Sequence, residues 1–497
     1  MTSPVTIPFN SFIQIDKTVH TPVYLQIANQ MINAIQRGFL FRGMKLPGTR
    51  ILAKLLQVHR NTIVAAYDEL ESQGWIEVQP NKGSFILNTL EEKARKIRNY
   101  NQKHLVYYPS CAGFKFKQSH ILDDPFDIPN CELVFNDGLP DVRLSQINQL
   151  AKLYSSGLKR KRNQKNVENA PPERRDYFKE NLSNFLNHTR GLHISKDNII
   201  ITRSMEMGVY IATEILISPG DVVIVGKLSY FATNMIFQKA GAEILTVPID
   251  EEGIDVEAVK KLCKKKPVRM LYLTPHHHYP TTVTLSAQRR TDLLELSYQY
   301  GFIILEDDYD YDFHYGNSRV LPLASADSHG MVVYIGSFGR SLAPGFRTGF
   351  IIAPQNLIME MYKFLGIIDR QGDVFMEQVL GEMIEEGEIH RHLKKTSRIY
   401  QERRDHFARL LQDKLSDHIE FKTPAGGLAM WIKWDSSINL MKFSKDCLKH
   451  NISIPKSLLY QTKDITAMRL GFGSFSLNEM EIAINQMTAA LHGYIDL

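Results

Sequence analysis

Six short apolar runs, at 199–202, 222–225, 243–247, 270–273, 303–305 and 332–335, recur through the chain with helical patterns between them. Strands buried on both faces read as near-continuous apolar runs rather than as alternation. Returning to a parallel neighbour needs a crossover of about a dozen residues or more. One such run alone fits a buried helix turn equally well. Six at this spacing predict an α/β fold built on a mostly parallel sheet with helices on both faces.

The last run leads into residues 336–350, GSFGRSLAPGFRTGF. Around it stand EDDYD at 306–310, TPHHHYPT at 274–281, GKLSYFA at 226–232, ITRSME at 201–206, AMRLGFG at 467–473 and FNDGLPD at 135–141. Together these segments resemble the fold-type I aminotransferase-like domain of the MocR/GabR subfamily of GntR-type transcriptional regulators. The resemblance runs from Phe135 nearly to the C-terminus. In that subfamily the loop usually reads S-F-S-K-[ST]-L-x-P-x-x-R, and its Lys forms the Schiff base with pyridoxal phosphate. Here Arg340 stands at the Lys position, with Ser337 and Arg347 at the family spacing on either side.

The resemblance implies that Ser337 and Arg347 hold the cofactor phosphate, that Asp307 meets the pyridine nitrogen, and that Tyr309 bonds the 3-oxygen. It places His277 and Tyr230 by the ring and makes Arg469 the receptor for an effector carboxylate. Ser204 stands for a Gly whose backbone cradles phosphate, and Glu206 for a Gln. A carboxylate beside a phosphate is unfavourable unless it points away. A Schiff base needs an amine that can lose its proton, and a guanidinium stays charged below about pH 12. No catalytic residue is therefore expected, and Arg340 instead brings a fixed positive charge to where the phosphate or another anionic effector sits. Two states of the cavity stay open: pyridoxal phosphate or its amine form held without a covalent link, and no cofactor at all. An active pyridoxal-phosphate aminotransferase is the rival reading, and the missing Lys counts against it.

Residues 22–38 repeat apolar positions at Leu25, Ala28, Ile32 and Ile35 and close on Gly38, a helical signature. Two shorter helical patterns follow at 50–56 and 61–73, joined by Gln57-Val58-His59, and then two alternating strands around a turn at 80–83. Helix, helix-turn-helix and β-hairpin in this order form a winged helix. LPGTR at 46–50, HRNT at 59–62 and AY at 66–67 resemble the GntR pattern LPSxRxLAxxLGVSRxTVxxAYxxL. Gln57 replaces the usual turn Gly. His59 replaces a Ser whose helix cap is worth about 1 kcal/mol. The resemblance implies that Arg50, Arg60, Thr62 and Lys82 contact double-stranded DNA. Charge alone is neutral on this point: residues 1–87 hold 8 Lys and Arg against 5 Asp and Glu, a net of +3.

The expected division is a winged helix at 1–87, a linker at 88–130 with one helical stretch near 91–100, and the aminotransferase-like domain at 131–497. The basic run at 159–165 reads as a solvated loop or a second DNA contact, and 169–172 is a blurred form of the family's YGDPxG. Three consecutive histidines, His276 to His278, suggest a metal. Neighbours on an extended segment face opposite ways, and no partner lies at zinc spacing, so no metal is expected. Four scattered cysteines support no disulfide framework. With 43% hydrophobic and 23% charged residues, no secretory signature at the start and no apolar stretch near 18 residues, the chain is expected in the cytoplasm rather than in a membrane. By resemblance it is a homodimer, and its effector is small and anionic or amino-acid-like.

Overall fold

A computed structural model describes residues 9, 13–19, 21–36, 40–41, 43–73, 75–80, 82–86, 111–116, 131–159, 176–316, 320–342, 347–370 and 372–495. The stretches 91–100, 160–165 and 169–172 and Gly38 lie outside them. The chain divides into two compact units, 1–118 and 119–497.

In the first unit, α1 (Val23–Gln36), α2 (Thr49–Leu56) and α3 (Arg60–Ser72) precede an antiparallel hairpin of β1 (Ile76–Gln79) and β2 (Gly83–Ile86). The buried stripe of α1 is Ile27, Ala28, Met31 and Ala34. It thus differs from the expected Leu25, Ala28, Ile32 and Ile35, of which only Ala28 is fully buried. The central core is completed by Leu52, Ile63, Tyr67, Leu70, Ile76 and Ile86. Gln57 ends α2 in the left-handed region, at φ 53°, so the turn keeps its geometry at the cost of placing a Cβ where Gly is favoured. His59 still caps α3, because its Nδ1 accepts from the Asn61 N–H at 3.3 Å. The Tyr67 hydroxyl donates to the Pro47 carbonyl at 2.7 Å and fastens α3 to the turn before α2.

The second unit is organised by a seven-stranded sheet of β3 (Ile199–Thr202), β4 (Val222–Gly226), β5 (Glu243–Val247), β6 (Val268–Leu273), β7 (Ile303–Asp308), β8 (Val332–Ser337) and β9 (Gly349–Ile352). Their order across the sheet is β3-β9-β8-β7-β6-β4-β5. The pairs β8–β7, β7–β6, β6–β4 and β4–β5 are parallel, and β9 is antiparallel to both neighbours. All six apolar runs are strands, and β9 is an unexpected seventh. Buried apolar side chains cover both faces, with Ile200, Val223, Leu305 and Ile335 in one layer and Ile224, Leu271 and Ile304 in another.

A second, antiparallel sheet comprises β10 (Ile419–Phe421), β11 (Ala429–Trp434), β12 (Leu459–Gln461) and β13 (Thr466–Gly471) in the order β10-β11-β13-β12. Its core includes Phe407, Met430, Phe443, Met468 and Ile484. Phe135 belongs to this core, and Leu133–Val134 pairs with Ile452–Ser453. The segment 133–140 is therefore part of the small layer although it stands far ahead of it in sequence. Among the described residues no helix is long and apolar enough to cross a membrane.

Candidate functional site

The carboxyl ends of the parallel strands meet at one edge of the large sheet, where open α/β sheets bind ligands. A cavity of ≈ 270 Å³ opens there. Seven of the eight residues expected around a cofactor line it: Ser204, Tyr230, Asp307, Tyr309, Ser337, Arg340 and Arg347. None of the described lining residues is a lysine.

Strand alternation sorts the three acids at the end of β7. Glu306 accepts the N–H groups of Leu323 and Ala324 at 2.8 and 2.9 Å. Asp308 accepts from the Tyr334 hydroxyl at 2.5 Å and lies 3.1 Å from His276 Nδ1. Between them Asp307 faces the cavity. The Tyr272 hydroxyl donates to its Oδ2 at 2.7 Å, while its buried Oδ1 has no hydrogen-bond partner. Burial, reinforced by Glu206 and Asp308, pushes Asp307 up to about 7 against the Tyr272 hydrogen bond. Burial would raise Asp308 too, but His276 and Arg190 hold it down at about 2.

Ser204 caps the helix Met205–Leu216, its Oγ accepting from the Met207 N–H at 3.2 Å. Its backbone is extended, so the position does not require Gly. Opposite it, Gly349 brings β9 so close that a Cβ would lie 2.7 Å from the Ser204 carbonyl carbon. This approach sets Arg347 and Thr348 beside the helix N-terminus, with Ser337 at the end of β8. Free N–H groups and the dipole make such a terminus an anion seat. Glu206, in the first turn, also lines the cavity and adds a negative charge there.

Arg340 reaches from the large layer to the small one. Its Nη1 donates to the Gly138 carbonyl at 2.8 Å, its Nη2 lies 3.2 Å from Asp137 Oδ2, and its guanidinium sits 4.9 Å from the centre of the Tyr309 ring. Arg469, expected to bind an effector carboxylate, does not line the cavity and is 1% exposed. Each of its nitrogens already donates within the chain, Nε to Asp137 O at 3.1 Å, Nη1 to Pro280 O at 3.0 Å and Nη2 to the Tyr309 hydroxyl at 3.3 Å.

His277 is likewise outside the cavity lining, because its Nδ1 pairs with Asp310 Oδ1 at 2.7 Å. Tyr309 spends its proton on the His277 carbonyl at 2.7 Å. The neighbouring histidines, in the bend after β6, take separate partners: His276 bonds the Val320 carbonyl and His278 pairs with Thr281. Burial, with Arg469 nearby, pushes His278 down to about 3.

Tyr272, Tyr279, Leu139 and Pro140 line the cavity without having been expected there. Tyr272 sat inside an apolar run, where nothing distinguished it from a core residue. The FNDGLPD motif was the available signal for Leu139, Pro140 and Asp137.

In the first unit, Arg50 on α2, Arg60 at the start of α3 and Lys82 at the hairpin tip are exposed, and Thr62 is half-buried. Arg60 Nε donates to Thr49 Oγ1 at 3.5 Å.

Comparison with known proteins gives two matches along the chain. Residues 141–486 match the family model described as aminotransferase class I and II, and residues 23–86 match bacterial regulatory proteins of the gntR family. The chain is similar to the uncharacterized HTH-type transcriptional regulator YisV of Bacillus subtilis (strain 168), with 25% identity covering 93% of this chain and 94% of that one. It is also similar to the probable rhizopine catabolism regulatory protein MocR of Rhizobium meliloti, with 24% identity covering 84% and 82%. Among solved structures, an archaeal alanine:glyoxylate aminotransferase superposes with a TM-score of 0.67 and 27% identity, covering 72% of this chain and 90% of that one.

Proposed function

We propose that this chain, which belongs to the aminotransferase class I and II family over residues 141–486 and carries a gntR-type domain ahead of it, is a DNA-binding transcriptional regulator that has given up covalent cofactor chemistry. In this reading residues 1–87 bind double-stranded DNA, 88–130 link, and 131–497 dimerise and sense a small effector, in the cytoplasm. The observation that carries the reading is Arg340: a fixed cation lines the cavity, and no described lining residue offers an amine.

The lining fits pyridoxal phosphate held without a covalent bond. The unpartnered Oδ1 of Asp307 suits a ring nitrogen. The N-terminus of Met205–Leu216 with Ser204, Ser337 and Arg347 suits a phosphate, and Tyr230 forms part of the wall. Bound there, the group would supply an aldehyde and an electron-withdrawing ring. Arg340 cannot condense with that aldehyde, because its guanidinium stays protonated. Glu206 opposes a doubly charged phosphate and lowers occupancy.

The test has two parts. The absorption spectrum and intact mass of purified full-length protein read bound cofactor, and assays with amino acids and keto acids read turnover. No covalent adduct and no turnover are expected, and multiple turnovers by homogeneous protein would overturn the reading. Binding to the protein's own promoter region should weaken steeply with salt, by about 0.9 in log–log slope per phosphate contact. Arg60→Ala should cost roughly 1–3 kcal/mol if Arg60 reads a base edge. Binding that survives deletion of residues 1–87 would remove the DNA assignment.

A further inference from the structure

Two arginines cross the cleft between the layers of the second unit in opposite directions. Arg469, on β13 of the small layer, reaches Pro280 and Tyr309 of the large one and is sealed from the cavity. Arg340, just beyond β8 of the large layer, reaches Asp137 and Gly138 of the small one and lines the cavity. The Arg340 and Asp137 side chains are each 20% exposed. Removing a partner from Arg469 would leave buried donors or carbonyls unsatisfied, which is costly. Arg340 borders open space and Asp137 is partly exposed, so a second carboxylate can replace the first without stranding either charge.

We propose that Arg340 is the receptor for a ligand carboxylate, and that Asp137 occupies it as an intramolecular stand-in until the ligand arrives. Exchange frees Asp137 and loosens this strap between the layers, while Arg340 Nη1 keeps the Gly138 carbonyl and Arg469 stays sealed. The rest of the lining defines the ligand's body. Tyr230, Tyr272, Tyr279 and Tyr309 make walls suited to a flat ring, and the open Oδ1 of Asp307 suits a ring N–H. The ligand class is therefore a heteroaromatic acid with a basic ring nitrogen and a carboxylate at the opposite end. This rests on the reading of the cavity as an effector site, in the state in which pyridoxal phosphate does not hold Asp307.

Isonicotinate (pyridine-4-carboxylate) is the probe and isonicotinamide its uncharged control, titrated calorimetrically into the full-length protein. A planar, charge-assisted guanidinium–carboxylate contact should favour the acid over the amide by about tenfold. Asp137→Asn removes the competing charge and should tighten isonicotinate by a further factor of about ten, and isonicotinamide by clearly less. Arg340→Gln should reduce isonicotinate to the level of the amide. The proposal falls if Asp137→Asn and wild type bind isonicotinate alike, if neither binds it at millimolar concentration, or if folded Arg340→Gln keeps its preference for the acid. Should Arg340→Gln fail to fold, the Asp137→Asn comparison decides alone. Promoter binding is measured separately, so the two readings fail separately. Exchange without DNA binding would remove the regulator and leave the strap; DNA binding with no effect of Asp137→Asn would do the reverse.

Discussion

Replacing Asp307 by Asn should make stability less dependent on pH, with a sign and size that follow from the burial of this carboxyl. Its ordinary value of 3.8 is raised to about 7 in the folded chain, by burial first and by Glu206 and Asp308 next. Between those values the folded state keeps a proton that the unfolded state releases. The associated stability is fully present below the unfolded value and is lost as pH rises through the folded one. At ~1.4 kcal/mol per pH unit the loss reaches ~4 kcal/mol above neutrality. Asn is nearly isosteric, can still accept from the Tyr272 hydroxyl, and does not ionise. The stability difference between Asp307→Asn and wild type should therefore grow from near zero at about pH 4 to ~4 kcal/mol in favour of the variant at about pH 8. Most of the rise should come before pH 7, because the curve flattens once the folded carboxyl has ionised. Chemical denaturation of both proteins across this range is the assay, and groups common to both cancel in the comparison. A constant difference, or one that shrinks with rising pH, would refute the placement of this carboxyl in a buried, uncompensated position.

Arg340→Lys should place an amine in reach of a bound aldehyde, giving a visible imine absorbance and, after borohydride reduction, added mass on the peptide containing residue 340; wild type should give neither. Gly349→Ala puts a Cβ 2.7 Å from Ser204 backbone and should cost ~1–3 kcal/mol by overpacking, read by denaturation, with weaker binding of pyridoxal phosphate as Arg347 and Thr348 shift. Tyr67→Phe leaves the Pro47 carbonyl without its donor and should cost ~1–3 kcal/mol in the first unit, seen as an earlier melt of that unit and weaker promoter binding.

The strands of the large sheet were legible because burial on both faces leaves near-continuous apolar runs. Their ends were not. β7 runs on to Asp308, and nothing in a string of acids announces a strand whose partners, Tyr272, Tyr334 and the N–H groups of 323 and 324, are scattered along the chain. β9 was hidden because its first two residues, Gly349 and Phe350, belong to the stretch 336–350 read as a ligand seat. Local motifs brought Ser204, Asp307, Ser337 and Arg340 to attention, and the structure gathers them around one cavity. Motifs carry no information on what a side chain spends its hydrogen bonds on. His277 is taken by Asp310, Arg469 by two carbonyls and a hydroxyl. Asp137 stood unassigned because 203 positions separate it from Arg340, and only the docking of 133–140 into the small layer brings them together.

The three acids at the end of β7 carry a further consequence, for how such a chain can change over time. Glu306 and Asp308 are committed to groups that would be stranded without them, while Asp307 answers to whatever occupies the cavity. Substitutions among the residues that share the cavity with it, at 204, 206 and 340, alter the lining and leave the partners of Glu306 and Asp308 in place. The cavity wall and the buried joints of Glu306 and Asp308 thus sit on opposite sides of one strand, and a lineage can revise the first while inheriting the second.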